Sequence, residues 1–383
     1  MRTKTTVNGY PTWYQDKTGV TLEFCSPLNT AELEGGWCLL LPPLTVPEVF
    51  PTAFFDEHFY FAAGATLPPL VAGGIAPRLD LAIEGAFRVG PVIDGDQITF
   101  ARIRVKFTAP VAGTYTIRHP YGTDIVTTTV ANETVFVTED IGIDCVQGAF
   151  DCALRGRVGP FLLPSGTPGG AELPTILGPV PGKLYIADPA RLGPVTGSPV
   201  GQNFFEVEGP AGSNLLARTN DFSLMGRVYQ GTMPGRMTVD RARYARASGS
   251  AAGKTDVFAT AFATAQPRLL GAPVTGFVTP ILGFYPAACS VGAGGVLGAP
   301  AGVSAVQMFG TDTRYYGQFP TDGSPGPIPA AVCVQDYTAR DVNGQAIPSF
   351  VQKAVTDQVA VLQAQYDPAT GGSITVSAWS SDQ

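Results

Sequence analysis

The sequence predicts an all-β chain of more than one domain. Turn formers are abundant, since Gly (46) and Pro (34) together exceed a fifth of the 383 residues. Runs with a two-residue hydrophobic period recur along the chain, and long amphipathic helical patterns do not. The length itself exceeds that of an ordinary single domain. Hydrophobic residues still reach 45%, so the chain has enough apolar mass to build packed cores.

The elements follow in order. Val20–Phe24 reads as a short strand after the aromatic and turn signals Gly9-Tyr10-Pro11 and Trp13-Tyr14. One short helix is expected at Thr30–Glu34: Asn29 caps it, Glu32 lies three residues on, and Gly35 stops it. The apolar run Leu39–Leu44 is broken by Pro42-Pro43. Residues 76–130 carry the clearest β pattern, with Leu79, Leu81 and Ile83 alternating against Asp80, Ala82 and Glu84. Asp94-Gly95-Asp96 is a turn, and a parity shift near Ala101-Arg102 predicts a bulge or a turn. Ile125–Val130 and Thr134–Val137 are expected to complete a meander.

Residues 158–200 are Pro/Gly-rich with little periodicity, as in a long connection or an irregular β region. Order resumes at Phe204–Gly209, Phe222–Tyr229 and Met237–Val239. Ala245–Gly253 is small and nearly uncharged, and reads as a linker between folding units. Further strands are expected at Asp256–Ala263, Thr275–Phe284 and Val303–Phe309, with a turn cluster at Pro325–Pro329. Val359–Tyr366 and Ser373–Trp379 bracket a Pro/Gly turn as a hairpin. The expected domains are 1–135, 136–247 and 248–383. The polar end Ser380–Gln383 suits a linker to a following module, so a longer parent protein is expected.

Pro110-Val111-Ala112-Gly113-Thr114-Tyr115-Thr116-Ile117 resembles the tyrosine-corner strand of immunoglobulin-like sandwiches. Ile117 stands where those domains usually have a cysteine, so no cross-sheet disulfide is implied there. The terminal hairpin resembles the last strands of immunoglobulin-like modules in bacterial secreted and cell-surface proteins. The resemblance implies tandem antiparallel β-sandwich domains with long Pro/Gly-rich loops, and by analogy a structural or adhesive role.

Six cysteines occur at positions 25, 38, 145, 152, 289 and 333, none in a C-x-x-C pair. Redox, zinc-knuckle and haem-attachment spacings are therefore missing. Proximity predicts the disulfides Cys25–Cys38, Cys145–Cys152 and Cys289–Cys333, and hence an extracellular or cell-surface location. Met1-Arg2-Thr3-Lys4 leads straight into polar residues, so an export leader is expected to have been removed. The net charge is −7 and the six lysines are scattered, which argues against nucleic acid as a partner. No apolar run reaches the ~18 residues of a membrane helix.

Candidate chemistry is sparse. His58 follows Asp56 and Glu57, whose neighbours alternate faces on a strand, and His119 lies at a strand end. No metal or other cofactor is expected, the weak exception being Ca²⁺ near Asp94 and Asp96. Glu139/Asp140 is a second acidic pair, and Glu206 and Glu208 share a strand face in the way of a glycosidase pair, although a solvated face is the expected role. Gly292–Gly298 lacks the context of a phosphate loop, and Asn132-Glu133-Thr134 fits a glycosylation sequon. Tyr10, Trp13 and Tyr14 are the candidate ligand contacts, a sugar-stacking or docking platform if exposed, although packing on the neighbouring sandwich is the favoured role. The favoured function is a non-enzymatic extracellular structural or adhesive protein that builds a surface layer or filament with itself or other surface proteins. The alternative is a secreted hydrolase or carbohydrate-binding protein acting on a polysaccharide.

Overall fold

The computed structural model describes residues 8–38, 46–233, 235–246, 248–324 and 326–382. The Leu39–Leu44 run and the first residues Met1–Lys4 lie outside the described residues. Nearly all regular structure is β, and every sheet is antiparallel. The chain divides into two compact units, Met1–Gly231 with Pro267–Gly276, and Thr232–Gln266 with Phe277–Gln383.

The first unit opens with the hairpin β1 (Trp13–Gln15) and β2 (Thr21–Glu23), then the helix α1 (Thr30–Glu34). The helix is where the sequence places it: Asn29 accepts from the Glu32 backbone N–H and Gly35 ends the last turn. The body follows as β3 (His58–Thr66), β4 (Arg78–Phe87), β5 (Gln97–Ala109), β6 (Gly113–His119), β7 (Gly122–Thr128) and β8 (Glu133–Ile141). Residues 158–200 hold only the two-residue strands β9 (Leu163–Pro164), β10 (Ile176–Leu177), β11 (Leu184–Tyr185) and β12 (Val195–Thr196). This agrees with the irregular region expected there. β13 (Phe205–Glu208), β14 (Leu216–Thr219) and β15 (Ser223–Met225) close the unit.

Two sheets result, ordered β15-β3-β4-β5-β8 and β14-β13-β6-β7. Their facing side chains, among them Leu81, Ile103 and Phe107 from the first and Tyr115, Ile117 and Val207 from the second, belong to one buried cluster. The expected meander is corrected. β7 pairs with β6, while β8 returns to pair with β5 in the other sheet. The chain crosses between layers after β5 and again after β7.

The bulge or turn expected near Ala101-Arg102 is also absent: β5 keeps one register against β4 from Arg78↔Lys106 to Phe87↔Gln97. The parity shift has another cause. Ile103, Val105 and Phe107 face the main core, whereas Ile98 and Phe100 lie on the opposite face, buried with Ala86. Both faces of that end of the strand are covered, so apolar residues occupy both parities.

The second unit contains β16 (Met237–Arg246), β17 (Ala252–Ala261), β18 (Thr264–Ala265), β19 (Phe277–Val278), β20 (Leu282–Tyr285), β21 (Ser290–Val291), β22 (Leu297–Gly298), β23 (Val306–Gln307), β24 (Phe309–Thr311), β25 (Arg314–Phe319), β26 (Gly326–Pro327), β27 (Ala331–Asp336), β28 (Phe350–Ala354), β29 (Val359–Asp367) and β30 (Ser373–Ser380). One sheet runs β16-β17-β25-β24, with β26 also on β17, and a second runs β23-β20-β27-β28. Val239, Val257, Phe284 and Val334 share the core between them.

Ala245–Gly253 is not a linker. Its described residues close the β16–β17 hairpin, with Arg246 opposite Gly253 and Gly249 at φ +73° in the turn. Small residues and glycine serve a tight reversal as readily as a flexible tether. The expected domain limits therefore differ from the units. β6 pairs with β13 across 135/136, and β16 pairs with β17 across 247/248.

All three expected disulfides are present, Cys25–Cys38, Cys145–Cys152 and Cys289–Cys333. Among the described residues no helix is long and apolar enough to cross a membrane, a statement about helices alone.

Candidate functional site

The outer face of the five-stranded sheet carries a cleft of about 760 Å³. Strand alternation builds it. Leu79, Leu81 and Ile83 of β4 point into the core, so Asp80, Ala82 and Glu84 point out. The small residues Ala62, Gly64 and Ala82 keep the floor low. Ser223 and Met225 of the edge strand β15 also line the cleft.

Arg102 is the pivot of its charges. Its Nε and Nη2 donate to the two carboxylate oxygens of Asp140 at 2.8 and 3.2 Å, and Nη1 donates to Glu84 Oε2 at 3.0 Å. Glu57 reaches the same Nη1 at 3.6 Å. Arg104 donates to Asp140 at 3.4 Å, and Arg78 pairs with Asp80 at 2.8 Å. Glu84 is 1% exposed, and burial pushes its carboxyl up to about 8, against the pull of Arg102. Glu57 and Asp140 add to that rise. At neutral pH Glu84 is thus mainly a protonated acid beside a guanidinium already matched by Asp140.

A second buried network surrounds Arg227. It donates to Glu32 Oε1 at 2.7 Å, to the Phe24 carbonyl at 3.3 Å, and to Glu23. The Tyr185 hydroxyl also donates to Glu32 Oε1, at 2.6 Å. Cys25, Glu32 and Cys38 converge there within 4.8 Å, but the two sulfurs are bonded to each other and Glu32 is held by Arg227. The set therefore offers no thiolates to a metal.

The third feature is the β29–β30 hairpin. Among the described residues these strands pair only with each other, and almost every residue on them is exposed. Its base is tied to β16: Ser381 Oγ donates to the Tyr244 carbonyl at 2.6 Å and Tyr244 Oη donates to Asp382 at 2.8 Å. Beyond the base the register separates two faces. Tyr366 is opposite Ile374 and Ala364 opposite Val376, while Gln365 is opposite Thr375 and Gln363 opposite Ser377. The bulge between Val361 and Gln363 adds Leu362. Leu362 (69%), Ile374 (67%), Tyr366 (62%) and Val376 (54%) leave this ribbon with exposed large hydrophobics.

The residues singled out in the sequence lie elsewhere. Tyr10 and Tyr14 are core residues, at 0% and 1% exposure, and cannot stack a ligand. Tyr10 lies on Phe24 and Tyr14 hydrogen-bonds Thr99, while Trp13 is half-buried near Tyr229. The cluster therefore packs, the role favoured for it in the sequence, and offers no exposed platform through Tyr10 and Tyr14. Asp96 accepts from Val89 N and Gln147 Nε2, at 2.9 and 2.8 Å, and Asp94 accepts from Gln97 Nε2 at 3.2 Å, so protein donors already occupy the carboxylates considered for Ca²⁺. Glu206 and Glu208 do share a face, each 2.7 Å from Arg118 Nη1.

His58 is buried between Phe24 and Phe54, with Nε2 2.8 Å from Glu48. Glu57 faces the cleft, so the Asp56-Glu57-His58 run does not converge on one point. His119 Nδ1 accepts from Tyr121 N at 3.2 Å and its Nε2 lies 2.9 Å from Asp124. Asn132 is exposed in the turn before β8. The sequence signal for the cleft was the outward parity of β4 and β5, where Glu84 and Arg102 sit among apolar neighbours. Comparison with protein-family models, curated proteins and solved structures finds no match.

Proposed function

We propose that the protein is an extracellular structural or adhesive protein whose copies associate through the β29–β30 hairpin. The uncovered apolar face of that hairpin carries the reading. A lone two-stranded hairpin is marginal in water, and exposed apolar patches of this kind mark interaction sites. The occupant is a second copy of the same face. Its central stretch carries no charge, with Asp367 at the tip and Asp357 and Asp382 at the base, so identical faces meet without like-charge opposition although the chain is at −7.

The opposite face, with Gln363, Gln365, Thr375 and Ser377, stays in water. Among the described residues no further strand pairs with either outer edge of the ribbon, so its main chain can add donors and acceptors to the contact. A ribbon this long offers a few hundred Å² per copy, below the ~800 Å² of a standard interface, so each contact is weak and assembly is concentration-dependent. The three disulfides support an oxidising location. The two facing sheets of the first unit and the Tyr115 corner support an immunoglobulin-like reading of that unit, by analogy. Electron microscopy of the purified chain across a concentration series tests the proposal. Filaments, arrays or paired particles are expected, and dispersed single particles at every concentration would contradict it.

A further inference from the structure

We propose that the cleft on the outer face of the five-stranded sheet is a binding site for a neutral polyhydroxylated ligand, a saccharide. The inference is independent of self-association, since the cleft belongs wholly to the first unit. Its volume, about 760 Å³, lies in the range of ligand sites. The decisive atom is Glu84 Oε1. Glu84 is almost wholly buried and lines the cleft, yet its only hydrogen bond among the described residues is the one Arg102 donates to Oε2. The other oxygen, Oε1, is not sealed off from the solvent of the cleft, so a ligand hydroxyl can reach it.

The rest of the lining selects the ligand class. Three guanidinium groups, Arg78, Arg102 and Arg104, face three carboxylates, Glu57, Asp80 and Asp221. Asp140, which holds Arg102 and Arg104, adds a fourth carboxylate, so with Glu84 protonated the charges around the cleft balance to within one and give little pull on an ion. It does offer planar donors and acceptors side by side, the pattern that matches adjacent hydroxyls on a sugar ring. Met225 and Leu192 add apolar surface for the ring carbons. A protonated Glu84 can donate from one oxygen and accept at the other, as a hydroxyl requires.

Calorimetric titration of the intact chain at pH 6.5 tests this with neutral hexasaccharides (cellohexaose, maltohexaose, mannohexaose, chitohexaose and laminarihexaose) beside oligogalacturonate and oligochitosan. At least one neutral sugar is expected to bind with a micromolar to millimolar Kd. Glu84→Leu should weaken it at least tenfold, and Glu84→Gln, which keeps a donor and an acceptor, should retain it. Asp221→Ala, on the rim and away from the packed floor, should weaken it several-fold, which keeps the test valid if Glu84→Leu fails to fold. Binding should fall as pH rises through about 8 in the natural chain and stay flat in Glu84→Gln, the facing groups being Arg102 and Arg104 of β5, Asp140 of β8 and Glu57 before β3. No binding of any neutral sugar, tighter binding of a charged one, or unchanged binding in both Glu84→Leu and Asp221→Ala would overturn the proposal.

Discussion

Tyr115 closes a ring on Val111: its hydroxyl donates to the Val111 carbonyl at 2.7 Å and accepts from the Val111 N–H at 3.2 Å. The Tyr115 side chain is fully buried against Phe107, so the pair fixes how the chain leaves β5 and enters β6 in the other sheet. Tyr115→Phe keeps the ring and removes both bonds. It should destabilise the first unit by about 1–2 kcal/mol, since the Val111 N–H loses its acceptor while the Val111 carbonyl keeps the Thr128 hydroxyl at 3.3 Å. Urea denaturation followed by tryptophan fluorescence measures this, and an unchanged midpoint would refute it.

Glu84 gives a pH signature. Its carboxyl titrates near 8 in the folded protein and near 4.5 when unfolded. Between those values the unfolded chain has released a proton that the folded chain retains. Stability from this group is therefore complete below about pH 4.5 and is lost as pH rises towards 8. Glu84→Gln should raise the melting temperature at pH 8 and change it little at pH 4.5. Equal shifts at both pH values would show that Glu84 is already ionised in the folded state.

Arg227 is 4% exposed and holds Glu23 and Glu32 together. Arg227→Met leaves Glu32 fully buried without its cation, while Glu23 keeps Lys183 at 2.9 Å. The expected loss is about 3–5 kcal/mol, larger than for any exposed ion pair such as Arg155–Asp151. Chemical denaturation of both variants decides it, and similar losses would contradict the ranking.

The disulfides should differ in weight. Cys289–Cys333 closes a separation of 44 residues and Cys145–Cys152 one of 7. On loop-closure entropy the longer loop stabilises by about 1.5 kcal/mol more. Paired Cys→Ser variants should rank accordingly in thermal unfolding, and the reverse order would count against the entropic account.

Local signals in the sequence define the elements they belong to. Asn29 and Gly35 bounded the helix, cysteine spacing identified the disulfides, and alternation with Asp367–Gly372 between the runs marked the terminal hairpin. What failed was everything set by neighbours distant in the chain. The doubly covered end of β5 looked like a bulge, and the return of β8 to β5 looked like a meander. Ala245–Gly253 has the composition of a tether, and only its pairing partners reveal a hairpin. Tyr10 and Tyr14 look alike whether exposed or buried. Glu84 was legible as an outward polar position, but its burial depends on Arg102, Glu57 and Met225 arriving from other strands.

Association through the β29–β30 hairpin is read out by sedimentation velocity, comparing the natural chain with Leu362→Glu/Ile374→Glu from low micromolar to millimolar concentration. Both side chains are exposed and make no core contact, so the variant should keep the fold. The natural chain should move to faster-sedimenting species as concentration rises, while the variant stays monomeric throughout. A natural chain that remains monomeric at the highest concentration, or a variant that associates just as strongly, would contradict it.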